Sequence, residues 1–446
     1  MISMNLNAFA QALLPVAIYK RLSASDIGKR LARGSFWAMV NALVTKGASF
    51  VQAILLARIL GITVYGEWGI LLSTSAMVGV FACFGLATTT TKHVAQWRFS
   101  ETERLGRLLS LLQISAMGMG LLACLILVAA AEPIAQHILV APQLAGPLVY
   151  IGFIVLLSAL SGVYSGILNG LERFRDSSII NGISIVTGVI LTVLLSIVMG
   201  LEGAIFGLLL TSLLTAGGFA LWSIRALSRL GIHLRVSDSW KEWRQIRDFA
   251  LPTVLAGAIV MAAMWAAQVA LVRQPDGYAS MGAYQAANQW RTIVVFLPTQ
   301  LMAAYLPVMA SLVTIDRVRL RQMQSRTLAS MMSLALILAL PVIFLSPWLM
   351  QLYGSDFAGF WPILVIVALI PVFDIGHVVL QNTAIAHGYA WTLLLSNLSM
   401  VTAVTIGIIW LIPVYLGLGL AMTLLLGYSS RVLAEYVIYR RRQATN

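Results

Sequence analysis

The sequence predicts an all-α integral membrane protein of about twelve transmembrane helices, arranged as two six-helix lobes around a central cleft. Three observations predict it. Of 446 residues, 60% are hydrophobic and only 10% charged, and the mean hydropathy is +0.90. A soluble domain carries about 25% charged residues, so this chain cannot clothe a water-facing surface. Apolar runs of about 20 residues, enough to cross a hydrocarbon core as helix, recur from end to end. The runs lack the alternation of barrel strands, and within a bilayer only helices or closed barrels satisfy the backbone.

Taken in order, the helices fall near residues 35–57, 66–90, 108–131, 145–169, 178–200 and 203–224, then 249–272, 281–305, 325–346, 359–382, 390–411 and 414–436. Residues 1–34 read as a cytoplasmic extension: the run Ala8–Ile18 is short, Pro15 interrupts it, and no basic segment precedes it. The six-helix lobes are expected over 35–224 and 249–436. A basic cytoplasmic linker over 225–248 joins them, and a basic tail over 437–446 closes the chain.

Net charge is +13 and the pI about 10.1. The basic residues explain it without nucleic acid, because they collect on one side. Lys20, Arg21, Lys29, Arg30 and Arg33 precede the first helix. Lys92, Arg98, Arg104 and Arg107 follow the second, and Arg173 and Arg175 the fourth. The linker, the segment after the eighth helix and the tail are likewise basic, whereas the opposite side holds only Arg58 and Arg273. The positive-inside bias then puts both termini in the cytoplasm. With an even helix number per half, both halves start on one side and are related by an axis along the membrane normal. A faint echo agrees: Tyr65-Gly66-Glu67-Trp68 opens the second helix, and Met281-Gly282-Ala283-Tyr284 opens the eighth.

An ionisable residue at mid-bilayer costs roughly 2.5–3.5 kcal/mol and so needs a reason. Three stand out. Lys46 accompanies a polar stripe of Asn41, Thr45, Ser49 and Gln52. Arg291 ends a stripe with Tyr284 and Asn288. Asp374, His377 and Gln381 share a face of the tenth helix. One reading makes Lys46 and Arg291 a cationic site for a phosphate or pyrophosphate, with Asp374 and His377 coupling an ion. The other pairs Arg291 with Asp374 inside the bundle. Arg58 and Arg273, at equivalent helix ends, are read as rims of the cleft or as interface residues. Arg431 and Glu435, one turn apart, are expected to pair. Trp265 and Trp290, inside helices, read as packing. No hydrolytic, redox or phosphate-loop motif is present, which argues against an enzyme, and no cofactor or metal is expected.

Four stretches resemble the polysaccharide-export branch of the multidrug/oligosaccharidyl-lipid/polysaccharide exporter superfamily, in particular O-antigen-type lipid-linked oligosaccharide flippases. They are LLARILGITVYGEWGIL, GILNGLERFRDSSIINGISIV, GAYQAANQWRTIVVFLPTQLMAAYLPVMASL and FWPILVIVALIPVFDIGHVVLQNTAIAHG. The resemblance implies a bacterial inner-membrane transporter working by alternating access on an undecaprenyl-pyrophosphate-linked sugar. By their position alone, Asp374 and His377 are read as coupling a proton or sodium ion, and association with polymerase and chain-length machinery is expected as well. The alternatives within it are a peptidoglycan-precursor flippase and a cation-coupled drug antiporter.

Overall fold

The computed structural model describes residues 26–83, 85–302, 317–386 and 390–445. Lys20 and Arg21 of the predicted extension lie outside the described residues, as does the exit of the eighth predicted helix. The helices are α1 (Asp26–Cys83), α2 (Leu86–Trp97), α3 (Thr102–Pro133), α4 (Ala145–Gly170), α5 (Phe174–Arg229), α6 (Trp243–Val272), α7 (Gly277–Met302), α8 (Arg317–Phe344), α9 (Ser346–Gln351), α10 (Trp361–Ala386), α11 (Ala390–Trp410) and α12 (Ile412–Thr445). No strand occurs among the described residues.

Among the described residues, seven stretches are long and apolar enough to cross a bilayer. Two of them, Met39–Cys83 and Phe174–Arg229, are each a pair of spans bent at a single residue. In α1 the bend is Gly61 (φ 74, ψ 168) and in α5 it is Gly200 (φ 58, ψ −134). These conformations are open to glycine and strained for other residues. The chain therefore reverses at the membrane surface with almost no loop. The two doubled stretches raise seven to nine spans, the shorter apolar helices Gly257–Val272 and Leu394–Trp410 make eleven, and α7 is the twelfth.

The outward faces are apolar, as lipid requires. On α5, Ile183, Val186, Ile190, Leu194 and Ile197 are all exposed at spacings of 3, 4, 4 and 3. On α3, Ile114, Met117, Leu121, Leu125 and Val128 repeat those spacings, while Leu105, Leu108, Leu112, Ala116 and Leu127 face inward and are buried. The stripes follow the helical period; in water such exposure would drive aggregation.

The connection between the halves is shorter than the predicted linker. Helix α5 runs on to Arg229 and α6 begins at Trp243. What lies between is docked on the start of α3. Glu242 accepts from Arg104 at 3.2 Å and lies 4.0 Å from Arg107, and the Arg235 amide donates to the Gly106 carbonyl.

The repeat is clearer in the backbone than in the side chains. Between the last two spans of the second half, Leu416 (φ 50, ψ −122) occupies the place that Gly200 holds in the first. Three residues later, Gly203 and Gly419 each pack so tightly that a Cβ would stand 2.0 Å from the Leu195 carbonyl oxygen and 2.2 Å from that of Leu411.

Candidate functional site

Three helices of the second half each turn a polar face inward. Helix α7 brings Tyr284, Asn288 and Arg291; α10 brings Asp374 and His377; α12 brings Tyr428, Arg431 and Glu435. Each set follows the 3–4 residue spacing that stacks side chains on one helix face.

Arg291 is the hub. Its Nη2 donates to Asp374 Oδ2 at 2.8 Å and to the Tyr428 hydroxyl at 2.9 Å, and its Nη1 donates to Asn288 Oδ1 at 3.3 Å. The guanidinium also lies 4.9 Å from the centre of the Tyr428 ring. A buried charge persists only when partnered in this way. The pairing with Asp374, one of the two expectations for Arg291, is thus formed, while the Arg291 Nε keeps no hydrogen-bond partner among the described residues. Tyr284, one turn from Asn288, is buried.

One turn along α10, His377 Nδ1 lies 2.8 Å from Glu435 Oε1, which also accepts from the Ser396 hydroxyl at 2.9 Å. The expected pairing of Glu435 with Arg431 does not form. The facing helices offer Glu435 two nearer partners, and the Arg431 Nε is buried with none among the described residues.

Lys46 is exposed and makes no ion pair among the described residues. It stands one turn from Phe50, whose ring meets that of Trp290 edge-on at 4.8 Å across the two halves. By helical spacing Lys46 therefore shares the face of α1 that reaches the second half, next to the residue preceding Arg291. Asn41, Thr45, Ser49 and Gln52 are partly buried, and Asn41 lines a cavity of the first half.

Arg58 and Arg273 take a role the sequence left open. The Arg58 Nε donates to the Leu352 carbonyl at 2.8 Å, and an Arg273 Nη donates to the His137 carbonyl at 3.4 Å. Each arginine ends the first span of its half and reaches the segment after the third span of the other half. The two bonds are thus related as the repeat requires, and they clasp the halves at the end away from the basic loops. Between them α1 and α7 touch backbone to backbone: a Cβ on Gly66 would stand 1.9 Å from the Tyr278 carbonyl oxygen, and one on Gly282 would stand 2.0 Å from that of Ile62. The weak sequence echo is therefore a contact between its two copies. At mid-depth the Trp265 indole donates to Thr74 at 2.9 Å, again across the halves. Both interior tryptophans pack, as expected.

Sequence reasoning missed Tyr428 as a partner of Arg291 and Glu435 as a partner of His377. Their spacing on the last helix was a visible signal, but only packing shows which helices they face.

Among the described residues, twelve spans thus fall in two like-oriented halves, clasped at one end and carrying buried charge. A solved structure described as the lipid II flippase MurJ in an inward closed conformation shares this fold, with a TM-score of 0.69, 16% identity, and 91% of this chain and 87% of that one covered. A second solved structure, described as an inward-facing multidrug resistance MATE family transporter of the MOP superfamily, shares the fold with a TM-score of 0.71, 14% identity, and 92% of this chain and 98% of that one covered. The family model described as polysaccharide biosynthesis protein matches residues 31–313, more than half of the chain. The protein belongs to that family. It is 25% identical over 432 residues to a lipid III flippase of Escherichia coli K12, covering 92% of this chain and 99% of that protein. It is also 25% identical over 360 residues to the succinoglycan biosynthesis transport protein ExoT of Rhizobium meliloti, covering 76% of this chain and 66% of that protein.

Proposed function

We propose that the protein translocates an undecaprenyl-pyrophosphate-linked oligosaccharide from the cytoplasmic to the outer leaflet of the bacterial inner membrane, with both termini in the cytoplasm. The observation that carries this reading is a buried arginine on α7, with an exposed lysine one turn from the α1 residue that meets its neighbour Trp290, in a family of polysaccharide biosynthesis proteins. The names of the relatives point the same way.

In this reading residues 35–224 and 249–436 are the moving bodies, and the clasp of Arg58, Arg273 and the Gly66–Gly282 contact closes the outer side. Cargo enters from the basic, cytoplasmic side while its polyprenyl tail stays in lipid. Lys46 meets the pyrophosphate as a point charge, and Arg291 offers its planar fork. Asp374 competes for that fork. A proton or sodium ion taken up at Asp374 weakens its hold and frees Arg291 for the pyrophosphate, which couples the ion to loading. His377, a turn away and held by Glu435, serves the same coupling. Outward movement of negative charge is also favoured by an inside-negative potential, at roughly 2.3 kcal/mol per charge per 100 mV.

Reconstituted vesicles with a labelled polyprenyl-pyrophosphate oligosaccharide test the reading. Wild type is expected to expose the label at the outer leaflet, and Arg291→Ala and Lys46→Ala to slow this at least tenfold, Lys46→Ala while inserting normally. No movement by wild type would remove the function; unchanged rates in both variants would remove the cationic site.

A further inference from the structure

A chamber of about 620 Å³ lies within the first half, walled by α1, α2, α4 and both arms of α5. Its volume falls in the range of about 300–1,000 Å³ typical of ligand sites. Nine of its twelve lining residues are serine, threonine or asparagine, and none is charged. In a chain so apolar, that concentration of neutral polar groups calls for an explanation.

Bonding between helices is the plain explanation for polar side chains in a membrane bundle, and here it accounts for little. The hydroxyls of Ser161, Ser165 and Thr215 donate to carbonyls of their own helices at 2.8, 3.0 and 2.7 Å. Thr91 donates mainly within α2 at 2.9 Å, with a longer 3.3 Å contact to Gly166. Ser178, bonded to both Phe174 and Trp37, is the clear cross-helix exception. Spending the hydroxyl protons on the backbone leaves oxygen lone pairs as acceptors toward the chamber. The side-chain amides of Asn41, Asn169 and Asn181 make no hydrogen bond among the described residues, and Asn41 Oδ1 is buried without a partner. Each amide brings both donors and an acceptor.

This inventory selects its occupant. An anion finds no cation on the wall and a cation finds no carboxylate. An apolar molecule would leave the amides unpaired at a cost. A ligand dense in hydroxyl groups, each able to donate and accept, satisfies the wall. Phe174 and Phe219 add apolar lining that suits the C–H groups of a pyranose. The chamber also adjoins the basic end of the bundle: Asn169 precedes Gly170, whose carbonyl accepts from Arg98 at 3.1 Å, and Arg98 pairs with Glu172.

We infer that this chamber is a carbohydrate subsite, which receives the neutral sugars of the cargo while the pyrophosphate lies at the charged cluster. The inference rests on the proposed function, and the experiment separates the two. The full-length protein, purified in detergent, is titrated with a polyprenyl pyrophosphate bearing a neutral trisaccharide and with the same lipid bare. Two variants are compared with wild type. Asn169→Ala with Asn181→Ala removes two free amides. Gly162→Val narrows the chamber from a position where a Cβ has 3.7 Å to its nearest neighbour, an ordinary contact. The expected result is tighter binding of the sugar-bearing lipid by wild type, loss of about tenfold in that preference in both variants, and unchanged affinity for the bare lipid. Equal wild-type affinity for the two lipids, or a preference retained by both variants, overturns the subsite and leaves the proposed function standing. If wild type binds neither lipid, the proposed function and the subsite fall together.

Discussion

The two halves share a backbone and differ in what they enclose. The second half buries a charged cluster, Arg291–Asp374–Tyr428 with His377–Glu435 beside it. The first half encloses a neutral chamber of hydroxyls and amides. A repeat built twice from one plan has thus kept its geometry, with the same bend at Gly200 and Leu416, while its interior chemistry has diverged. For a cargo with a charged and an uncharged part, the difference amounts to a division of labour between the lobes.

That contrast can be broken, and the largest effect is expected at its charged side. Arg291→Ala strands Asp374 in a low-dielectric interior, and loss of one partner of such a pair costs about 3–5 kcal/mol. Removing both, in Arg291→Ala with Asp374→Ala, is expected to restore much of that, as thermal unfolding in detergent would show. Next comes the contact between the halves. Gly282→Leu drives a side chain into the Ile62 carbonyl, and overpacking of this kind costs about 1–3 kcal/mol. A cysteine pair across the clasp should cross-link less efficiently in that variant than in its parent.

The repeat is sharpened by Leu416→Gly. Strained backbone of this kind costs on the order of 1–3 kcal/mol, and glycine returns about 0.5–1 kcal/mol of it in chain entropy. The variant should be stabilised by about 1 kcal/mol; destabilisation would mean the Leu416 side chain packs better than its backbone suffers. A pH effect is expected at the basic end. Burial first, then Lys92 and Arg104, pushes the His93 imidazole down to about 4, so it is neutral at pH 7. Between its ordinary value of about 6.5 and 4 the unfolded chain takes up a proton that the folded one refuses. Stability is therefore full above this window and falls as the pH drops through it. His93→Gln should flatten the pH dependence of the melting temperature between 7 and 5. Smallest of all is the neutral chamber: Asn169→Ala with Asn181→Ala should change stability by no more than about 0.5 kcal/mol, because neither amide holds the fold together.

Much of this was legible in the sequence, and for physical reasons. Hydropathy marks a span because lipid admits nothing else, so the twelve spans are close to those read from the chain, whereas the connection between halves is shorter because the flanking helices run on past the apolar stretches. Arg291, Asp374 and His377 were visible because charge at mid-bilayer is costly. Their partners were not. Helical spacing says which residues share a face but not which face meets it, so Glu435 was assigned to Arg431 on its own helix when His377 and Ser396 on two others hold it. Arg58 and Arg273 were noticed as equivalents, yet their carbonyl partners in the opposite half are invisible in a one-dimensional pattern. The chamber was hidden for a further reason. Serine, threonine and asparagine are unremarkable singly within a span, and those that line it are scattered from Asn41 to Thr215.

The account turns on whether the charge beside the contact between the halves handles the pyrophosphate. The most direct measurement is the rate at which Lys46→Ala vesicles translocate bare polyprenyl pyrophosphate, which has no sugar to engage the chamber. Lys46 is exposed and unpaired, so the variant should fold and insert as the parent does. A fall of at least tenfold, shared by the sugar-bearing lipid, is the predicted result; an unchanged rate for the bare lipid would contradict it.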